Sequence, residues 1–213
     1  MTDADRKNGE PFWQPNQLAA WVSSGAAAAM NARRFDIYIT PMDPDHHYLL
    51  VDDVKGLEGV KAMRRLGYRP ALVQRTSDGN YQVILKVSKT AFAREAEAAN
   101  RVVQKLNRNF GDPKVSGGQH AFRLAGLRNK KPGRGDATVE IDWGESSPEL
   151  ICRRATTELE IERSSLTPLA GHTLPAAVIS TNRNSRPLAD LLTVSAMLQF
   201  APALNADLPV GKG

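Results

Sequence analysis

Apolar and polar residues alternate most clearly in the first half of the chain, where short runs are separated by turn residues. Residues 35–40 alternate strictly, and residues 48–53 form an apolar run that ends in two aspartates. Two more runs, 71–76 and 81–87, flank an Asp-Gly turn, and 138–143 alternates again. Alternation and β-branched residues favour strands, and Asp-Gly accepts the positive φ angles of a hairpin turn. The pattern predicts an antiparallel pair from the first two runs, a hairpin from the next two, and a fifth strand.

A second periodicity, with apolar residues three and four positions apart, predicts helices. It occurs in the alanine-rich residues 18–32, in 57–66 and in the long segment 89–110. The resulting order is α-β-β-α-β-β-α-loop-β. This order predicts an α+β fold with the helices packed on one face of a mixed or antiparallel sheet. The other face of the sheet is then expected to be free to hold a ligand.

Composition divides the chain into three parts. Residues 1–17 are rich in charge, proline and asparagine and are predicted to be a flexible N-terminus. Residues 18–150 carry the strand and helix pattern and form the predicted globular domain. Residues 151–213 are expected to be a linker and a C-terminal helical extension, with a short helix at 156–163 and an apolar helix at 188–200.

The overall composition narrows the class of protein without giving a function. The 213 residues are 41% hydrophobic, and no apolar run has the length of a membrane span, so no membrane partner is expected. Cys152 is the single cysteine, which excludes an internal disulfide and makes a reducing cytoplasm the expected location. The net charge of +5 permits binding to a polyanion but does not establish it.

Two adjacent carboxylates end the apolar run at 48–53. A buried ionised carboxylate is costly unless it is paired or binds a metal, so Asp52 and Asp53 are candidates for a metal site. Asp112, just after the long helix, would complete a cluster of three acids. Oxygen ligands suit Mg²⁺ or Mn²⁺, and a cation relieves the repulsion between close carboxylates. The alternative is a strand that simply ends in solvent.

The metal hypothesis makes a demand on the backbone. Neighbouring residues of a regular strand point to opposite faces of the sheet. Asp52 and Asp53 can therefore share a metal only if the strand ends, twists or bulges between Val51 and Val54. If it does not, one acid is catalytic and the other is structural.

A basic, glycine-rich stretch follows Asp112. Glycine lets backbone N–H groups approach a phosphate, and arginine binds phosphate through two parallel hydrogen bonds. The stretch therefore predicts contacts with a triphosphate or a nucleic-acid strand, with a solvated basic loop as the alternative. Its cationic residues are Arg123, Arg128, Lys130, Lys131 and Arg134.

Three uncharged or weakly basic residues are further candidates. His120 lies close to Arg123 in the sequence and could donate a hydrogen bond to a phosphate; a structural histidine is the alternative. Ser77 and Asn80 belong to the predicted hairpin and could hydrogen-bond a nucleotide; a well-made turn explains them equally.

The order of these motifs resembles a known family. Ile37-Tyr-Ile-Thr-Pro, Leu50-Val-Asp-Asp, the run from Pro70 to Gln82, Gly111-Asp-Pro and the run from His120 to Lys131 are together similar to the catalytic domain of plasmid RepB-like DNA primases. Those enzymes belong to the archaeo-eukaryotic primase superfamily. The resemblance implies an RRM-like primase catalytic domain within residues 18–150. It also implies a nucleotidyltransferase that synthesises primers on single-stranded DNA, in plasmid or mobile-element replication.

The same resemblance implies roles for individual residues. Asp52, Asp53 and Asp112 match the catalytic carboxylates that bind two divalent ions, Mg²⁺ or Mn²⁺. The implied partners are a single-stranded DNA template and nucleoside triphosphates. The resemblance also allows a replicative helicase or another replication protein as a partner. The substrate-binding residues expected from the match and from the basic stretch are Ser77, Asn80, His120, Arg123, Arg128 and Lys130.

This chain departs from the family pattern at two places. Many members of the superfamily have one residue between the first two acids, whereas Asp52 and Asp53 are adjacent. Many also carry a histidine in the second motif, where this chain has Asn80-Tyr81-Gln82. The nucleotide contacts predicted for the hairpin therefore have less support than the acids.

Two alternative functions remain open at this point. A tyrosine-dependent replication-initiator or relaxase nuclease is suggested by His46 and His47 beside Tyr48, although that class needs two histidines separated by one apolar residue. A non-catalytic RRM-like module that binds single strands needs exposed aromatic residues on the sheet, and only 6% of the chain is aromatic.

Overall fold

The computed structural model describes residues 13–167. Five helices and six strands lie in this part of the chain. The helices are α1 (Pro15–Ser23), α2 (Ala26–Ala32), α3 (Gly56–Arg65), α4 (Glu95–Phe110) and α5 (Arg153–Leu166). The strands are β1 (Tyr38–Ile39), β2 (His46–Lys55), β3 (Leu72–Ser77), β4 (Asn80–Ser88), β5 (Phe122–Arg123) and β6 (Glu140–Ile141).

The central sheet has four antiparallel strands in the order β2-β4-β3-β6. The predicted hairpin is confirmed: β3 and β4 are joined at Asp78 and Gly79, and Gly79 has the positive φ of 63° that the turn requires. The predicted pairing of the first two runs is wrong. β1 pairs with β5 in a separate two-stranded sheet, and β2 pairs with β4 instead.

Helices α3, α4 and α5 cover one face of the central sheet, which confirms the predicted α+β arrangement. Alternate residues of β2 and β4 face these helices. The apolar stripe of α4 packs against them, and the acidic residues in its first turn and Arg108 in its last turn suit the helix dipole. The helical residues buried in this core are Val60, Met63, Ala98, Ala99, Val102, Val103, Leu106, Ala155, Leu159 and Leu166.

The other face of the sheet is also largely covered, so the expected free face is not observed. Phe122 of β5 is fully buried against Leu50, Leu72 and Ile84, and Ile39 of β1 packs at the edge of the same cluster. The small β1–β5 sheet therefore closes this face of the central sheet. On this face of the central sheet, polar residues replace apolar ones at the β2 bulge. The bulge is therefore the part of this face where a functional site is expected.

The first predicted helix is interrupted at Gly25. This residue has φ 78°, a conformation that breaks a right-handed helix, and α1 and α2 flank it. Leu18, Val22 and Ala27 of the two helices pack against the segment that follows β5. The N-terminal helices are thus anchored to the β1–β5 side of the domain.

Helix α5 belongs to the same core as the sheet. The predicted helix at 156–163 is confirmed but is longer, and Cys152, Ala155 and Leu159 are buried with the strands and α4. The packed unit thus continues past the boundary expected at residue 150. Of the N-terminus expected to be flexible, residues 1–17, residues 1–12 lie outside the described residues, whereas Pro15 to Gln17 begin helix α1. The apolar helix expected at 188–200 also lies outside the described residues. No helix between residues 13 and 167 is long and apolar enough to cross a membrane.

A buried ion pair fastens α5 to the first turn of α4. Arg163 donates to both carboxylate oxygens of Glu95 at 2.8 and 2.5 Å, and His47 Nε2 lies 3.1 Å from the same carboxylate. Burial by itself raises the pKa of Glu95, but Arg163 and His47 outweigh it and lower the pKa to about 2. Burial also lowers the pKa of His47, so this imidazole is neutral at pH 7.

The Glu95 contact predicts a specific loss of stability in acid. A carboxyl whose folded-state pKa falls from 4.5 to about 2 stabilises the fold above pH 4.5, and the stabilisation disappears as the pH drops toward 2. We expect Glu95→Gln to cost about 2–3 kcal/mol at pH 7 and almost nothing near pH 2. Urea unfolding across this pH range measures the difference. Glu160→Gln, at an exposed position of α5 whose carboxylate makes no recorded contact, is the control, and equal curves for both variants would refute the prediction.

Candidate active site

The two adjacent acids lie on a bulge of β2. Val51 pairs with Val83 and Val54 pairs with Tyr81, so two residues of β2 stand opposite the single Gln82 of β4. Asp53 adopts a left-handed φ of 54°, which aspartate tolerates better than most residues. Val51 and Val54 are therefore both buried on the helix side. The predicted break in strand alternation at this position is confirmed, and both carboxylates escape the buried face.

The third acid is connected to the bulge through the backbone. The Asp112 N–H donates to the carbonyl oxygen of Asp52 at 2.8 Å. Gly111 permits this approach, because a Cβ at that position would collide with the same carbonyl. The end of α4 and the end of β2 are thus in direct contact. The structure brings the three sequence-predicted acids to one place.

Asn107 of α4 hydrogen-bonds the backbone of β2 at the bulge. Its side-chain oxygen accepts from the Asp52 N–H at 2.9 Å, and its amide donates to the Leu50 carbonyl at 2.7 Å. The residue is fully buried. One side chain thus satisfies two backbone groups of β2, which is an edge strand of the sheet. Sequence reasoning did not identify Asn107, although a polar residue on the apolar stripe of α4 was a usable signal.

Gln82 orients the Asp52 carboxylate. Its side-chain oxygen accepts from Gln74 Nε2 at 2.6 Å and from the Arg123 N–H at 3.3 Å. These contacts leave its Nε2 to donate to Asp52 Oδ1 at 3.1 Å, and the Asp53 N–H donates to the same oxygen at 2.9 Å. Both glutamine side chains are buried. Oδ1 of Asp52 is thus held by two donors, and Oδ2 is left available for a further ligand.

Asp53 is paired with the basic loop. Arg134 Nη2 donates to Oδ1 and Oδ2 of Asp53 at 3.1 and 2.8 Å. Both side chains are mostly shielded from solvent. Arg134 therefore supplies a positive charge directly at one of the candidate acids. The Asp112 carboxylate, in contrast, accepts only a local hydrogen bond from the Lys114 N–H among residues 13–167.

In this structure, the side chains of the three acids do not converge on one metal-binding position. Among residues 13–167, no group of three or more His, Cys, Asp or Glu side chains converges closely enough to hold a metal ion. The donor chemistry nevertheless suits a hard divalent ion, because it consists of carboxylate oxygens only. Ligation by all three acids requires Arg134 to release Asp53.

Arg123 lies near the acids, but its guanidinium forms an ion pair with a different carboxylate, that of Asp36. Its Nη1 donates to Asp36 Oδ1 at 2.5 Å, and its guanidinium stacks over the Tyr38 ring at 4.8 Å. Burial raises the pKa of Tyr38, the Arg123 charge opposes this, and the charges of Asp36 and Asp52 add to the increase. Gln82 connects the two residues to this site, because its side chain accepts from the Arg123 N–H and donates to Asp52. Tyr38 is 46% exposed and is a surface for stacking that sequence reasoning did not assign to nucleotide binding.

The two candidates in the hairpin, Ser77 and Asn80, make hydrogen bonds within the turn. Asn80 Nδ2 donates to Ser77 Oγ at 3.0 Å and to the Asp78 carbonyl at 2.9 Å, and its oxygen accepts from Lys55 Nζ at 2.5 Å. Ser77 is only 3% exposed. The structure therefore gives both residues a role in turn formation.

The remaining candidates lie in the segment after α4. His120 is half-buried, and its Nδ1 is a buried atom without a hydrogen-bond partner in the part of the chain that the structure describes. Arg128 and Lys130 lie on the loop that carries Arg134, and both bind Asp136, at 3.3 and 2.7 Å. The Lys130 N–H donates to the same Asp36 oxygen that Arg123 binds. Within the basic stretch, Arg134 is thus the cation paired with one of the three acids, whereas Arg123, Arg128 and Lys130 are paired with Asp36 or Asp136.

The structure disfavours both alternative functions. His46 Nδ1 binds Asp43 at 3.0 Å, whereas His47 binds Glu95 on the helix side, so the two histidines point to opposite faces of β2. They cannot ligate one metal as a tyrosine nuclease requires. On the face of the central sheet that the β1–β5 sheet covers, Tyr48 and Phe122 are buried, so the central sheet offers no stacking platform to a nucleic acid; the exposed Tyr38 lies on the small β1–β5 sheet.

Comparison with known proteins agrees with this geometry. The family model described as the RepB DNA-primase N-terminal domain matches residues 21–142. A DNA primase from Acidithiobacillus ferrooxidans is 40% identical over 103 residues, which are 48% of this chain and 29% of that protein. Mobilization protein A from Escherichia coli is 36% identical over 104 residues, which are 48% of this chain and 14% of that protein. The matched stretch thus spans less than a third of either curated relative.

Two crystal structures have a similar fold. The catalytic domain of primase RepB′ in complex with initiator DNA superposes with a TM-score of 0.57 at 26% identity, covering 70% of this chain and 76% of that one. The structure of primase RepB′ gives a TM-score of 0.58 at 26% identity, covering 70% of this chain and 50% of that one.

Proposed function

The chain belongs to the RepB DNA-primase N-terminal domain family, and on that basis we propose that it synthesises primers on single-stranded DNA. The observation that carries the proposal is the β2 bulge, which turns Asp52 and Asp53 out of the core, and the hydrogen bond that places Asp112 next to them. A fold does not by itself fix an activity, but three acids beside a basic loop suit phosphoryl transfer. Plasmid or mobile-element replication is the proposed setting.

The proposed reaction is transfer of a nucleotide to a 3′-hydroxyl. The hydroxyl oxygen of the first nucleotide or the growing primer attacks the α-phosphorus of an incoming nucleoside triphosphate. A new phosphorus–oxygen bond forms, the bond between the α-phosphorus and the bridging oxygen breaks, and pyrophosphate leaves. The hydroxyl proton passes to solvent. The protein contributes mainly by positioning the two reactants and neutralising charge.

Asp52, Asp53 and Asp112 are proposed to hold Mg²⁺ or Mn²⁺. A divalent ion at such a site lowers the pKa of a bound hydroxyl and neutralises charge on the triphosphate. Gln82 and Asn107 position these acids: Gln82 fixes one oxygen of Asp52, and Asn107 fixes the backbone on which it lies. Both act through the acids and are positioning residues.

The nucleotide is proposed to bind between the acids and Tyr38. Arg123 lies beneath the Tyr38 ring and is available to a phosphate that displaces Asp36. His120, whose Nδ1 has no hydrogen-bond partner among the described residues, is a second proposed contact. Arg128 and Lys130 are proposed to contact the strand rather than the triphosphate. Ser77 and Asn80 have weaker support, because the hairpin turn already uses their polar atoms.

The direct test is a primer-synthesis assay on single-stranded circular DNA. We expect the protein, with labelled nucleoside triphosphates and Mg²⁺ or Mn²⁺, to make short labelled products that disappear with a chelator. A protein that instead forms a covalent phosphotyrosine adduct on DNA would be a nuclease. One that binds single strands without any synthesis would be a binding module. A helicase or another replication protein is proposed as a partner and is not needed in this assay.

Arg134 predicts an effect on metal affinity. Because its guanidinium occupies the Asp53 carboxylate, a divalent ion has to displace it. We expect Arg134→Gln to bind Mn²⁺ roughly two- to fivefold more tightly without nucleotide, as suits a partly shielded ion pair. Paramagnetic resonance of free Mn²⁺ measures the change. Arg128→Gln, whose partner is Asp136, is the control, and an Arg134 variant with unchanged or weaker Mn²⁺ binding would contradict the assignment.

A further inference from the structure

A concave site of about 360 Å³ lies between the C-terminal end of α2 and the loop that carries Arg134. Arg34 forms one side of it, and Lys130 and Lys131 form another. Gly133 and Gly135 line it with backbone. Arg134 itself points away from this site, to Asp53. The site, which we call the α2 pocket, is therefore separate from the three acids but joined to them by one loop.

Buried amide side chains hold the walls of the α2 pocket. Asn31, only 4% exposed, donates to the Arg128 carbonyl and accepts from the Arg128 N–H, both at 2.8 Å. Asn129, 2% exposed, donates to the Thr76 carbonyl at 2.8 Å. These bonds tie the loop to α2 on one side and to β3 on the other. The cations of the pocket are therefore presented by a fixed backbone, as a built binding site requires.

The charges of the pocket are not balanced internally. Asp136 is its one lining acid, and it is already paired with Lys130 and Arg128. The side chains of Arg34 and Lys131 have no hydrogen-bond or ion-pair partner among residues 13–167. Within the same range, the backbone N–H groups of Gly133 and Gly135 also lack an intramolecular acceptor. Two free cations and free N–H groups on left-handed glycines suit an anion.

We propose that the α2 pocket binds a backbone phosphate of the single-stranded DNA on which the acids act. The inference rests on the proposed function and extends it to the path of the strand. Neither the acids nor Arg123 and Tyr38, between which the triphosphate is proposed to bind, line the pocket, so the pocket is assigned a different phosphate. A DNA strand supplies phosphates at successive positions, and one strand can pass the acids and reach the pocket. The contact is to phosphate and therefore carries no base specificity.

Binding of labelled single-stranded DNA without metal or nucleotide tests the proposal. We expect the double variant Arg34→Ala/Lys131→Ala to bind about fivefold more weakly at 0.1 M salt, from ~0.7 log units for the one lost phosphate contact. The slope of log K against log salt should fall by about 0.7. The control is Arg69→Ala/Arg153→Ala, which removes the same net charge from exposed positions elsewhere. Equal loss in both double variants would overturn the proposal.

A second variant tests the same site by gain of binding. Asp136 has φ 54°, which asparagine tolerates equally, so Asp136→Asn keeps the loop and frees Lys130 and Arg128. We expect DNA binding to strengthen roughly two- to fivefold. Unchanged or weaker binding would count against the pocket.

Two further experiments are needed. One distinguishes a DNA phosphate from a triphosphate in the pocket, and the other distinguishes failure of the pocket proposal from failure of the proposed function. A nucleoside triphosphate should compete poorly with DNA for the wild-type protein; efficient competition that the double variant loses would assign the pocket to the triphosphate and refute the strand contact. In primer synthesis, the double variant should raise the KM for template and leave kcat unchanged. A wild type that makes no primers but shows the expected DNA-binding differences would refute the proposed function and leave the pocket standing.

Discussion

Asp52→Asn is expected to reduce primer synthesis by at least about 10³-fold, which corresponds to about 4 kcal/mol of lost transition-state stabilisation. The variant keeps the size and the hydrogen-bonding shape of the side chain. It removes the negative charge from the oxygen that no group among residues 13–167 binds. The fold should persist, because the contacts to Gln82 and to the Asp53 N–H need only an acceptor. Rates of nucleotide incorporation and thermal unfolding of the same preparation check both statements.

The matched control for Asp52→Asn is Asp78→Asn. Asp78 is an exposed carboxylate at the β3–β4 turn, and its side chain makes no hydrogen bond that the structure records. We expect wild-type synthesis from this variant. If Asp52→Asn stays within tenfold of the wild type while folded, the acids are not the catalytic centre.

Asn107→Leu is the second large effect, and it acts on stability and activity together. Leucine fits the volume but leaves the Asp52 N–H and the Leu50 carbonyl buried without partners. Each unsatisfied buried group costs about 1–3 kcal/mol, so we expect a total of about 4 kcal/mol. Where the variant is still folded, the bulge is no longer held, and we expect at least a ~100-fold loss of primer synthesis.

Asn109→Leu is the control for Asn107→Leu. It lies two residues further along α4, is exposed and makes no recorded side-chain contact. Urea unfolding and primer synthesis, measured side by side, should leave it within about 0.5 kcal/mol and within a factor of two of the wild type. A folded Asn107→Leu with normal activity would mean that the acids are positioned without the bulge contact.

Local chemistry made parts of the fold predictable from the sequence. The Asp-Gly turn fixed the β3–β4 hairpin, and the apolar stripe located the end of α4 at Phe110, although the helix begins at Glu95 rather than at residue 89. The demand for a bulge at Val51–Val54 was also local, because it follows from two adjacent acids on one strand. In each of these cases, neighbouring residues contain the physical cause.

Strand pairing was not predictable in the same way. β1 pairs with a two-residue strand inside a stretch whose glycines and charges indicate a loop. What decides this pairing is the burial of Phe122 over the sheet, a contact between residues far apart in the chain. Helix α5 was hard to place for a related reason. Glu158 is buried in it because Tyr68, Lys105 and Arg154 bind the carboxylate.

The acids of the candidate site were visible in the sequence, but their supports were not. Asp52, Asp53 and Asp112 were found from residue type and order. The residues that support the acids are neutral amides, Asn107, Gln74 and Gln82. The role of each depends on which groups its side-chain oxygen and its side-chain nitrogen contact. Arg134 was one of several cations until the structure paired it with Asp53. Polar residues at core-facing positions of apolar elements are the sequence signal that could have identified the amides.

The central claim is that the β2 bulge builds a divalent-metal site from three carboxylates. Anomalous scattering of Mn²⁺ in crystals grown with a non-hydrolysable nucleoside triphosphate tests it most directly. We predict a peak within ligation distance of Asp52 and Asp112, with Arg134 moved off Asp53, and no such peak in Asp52→Asn. Manganese bound elsewhere, or an ordered nucleotide with no manganese at the bulge, would contradict the claim.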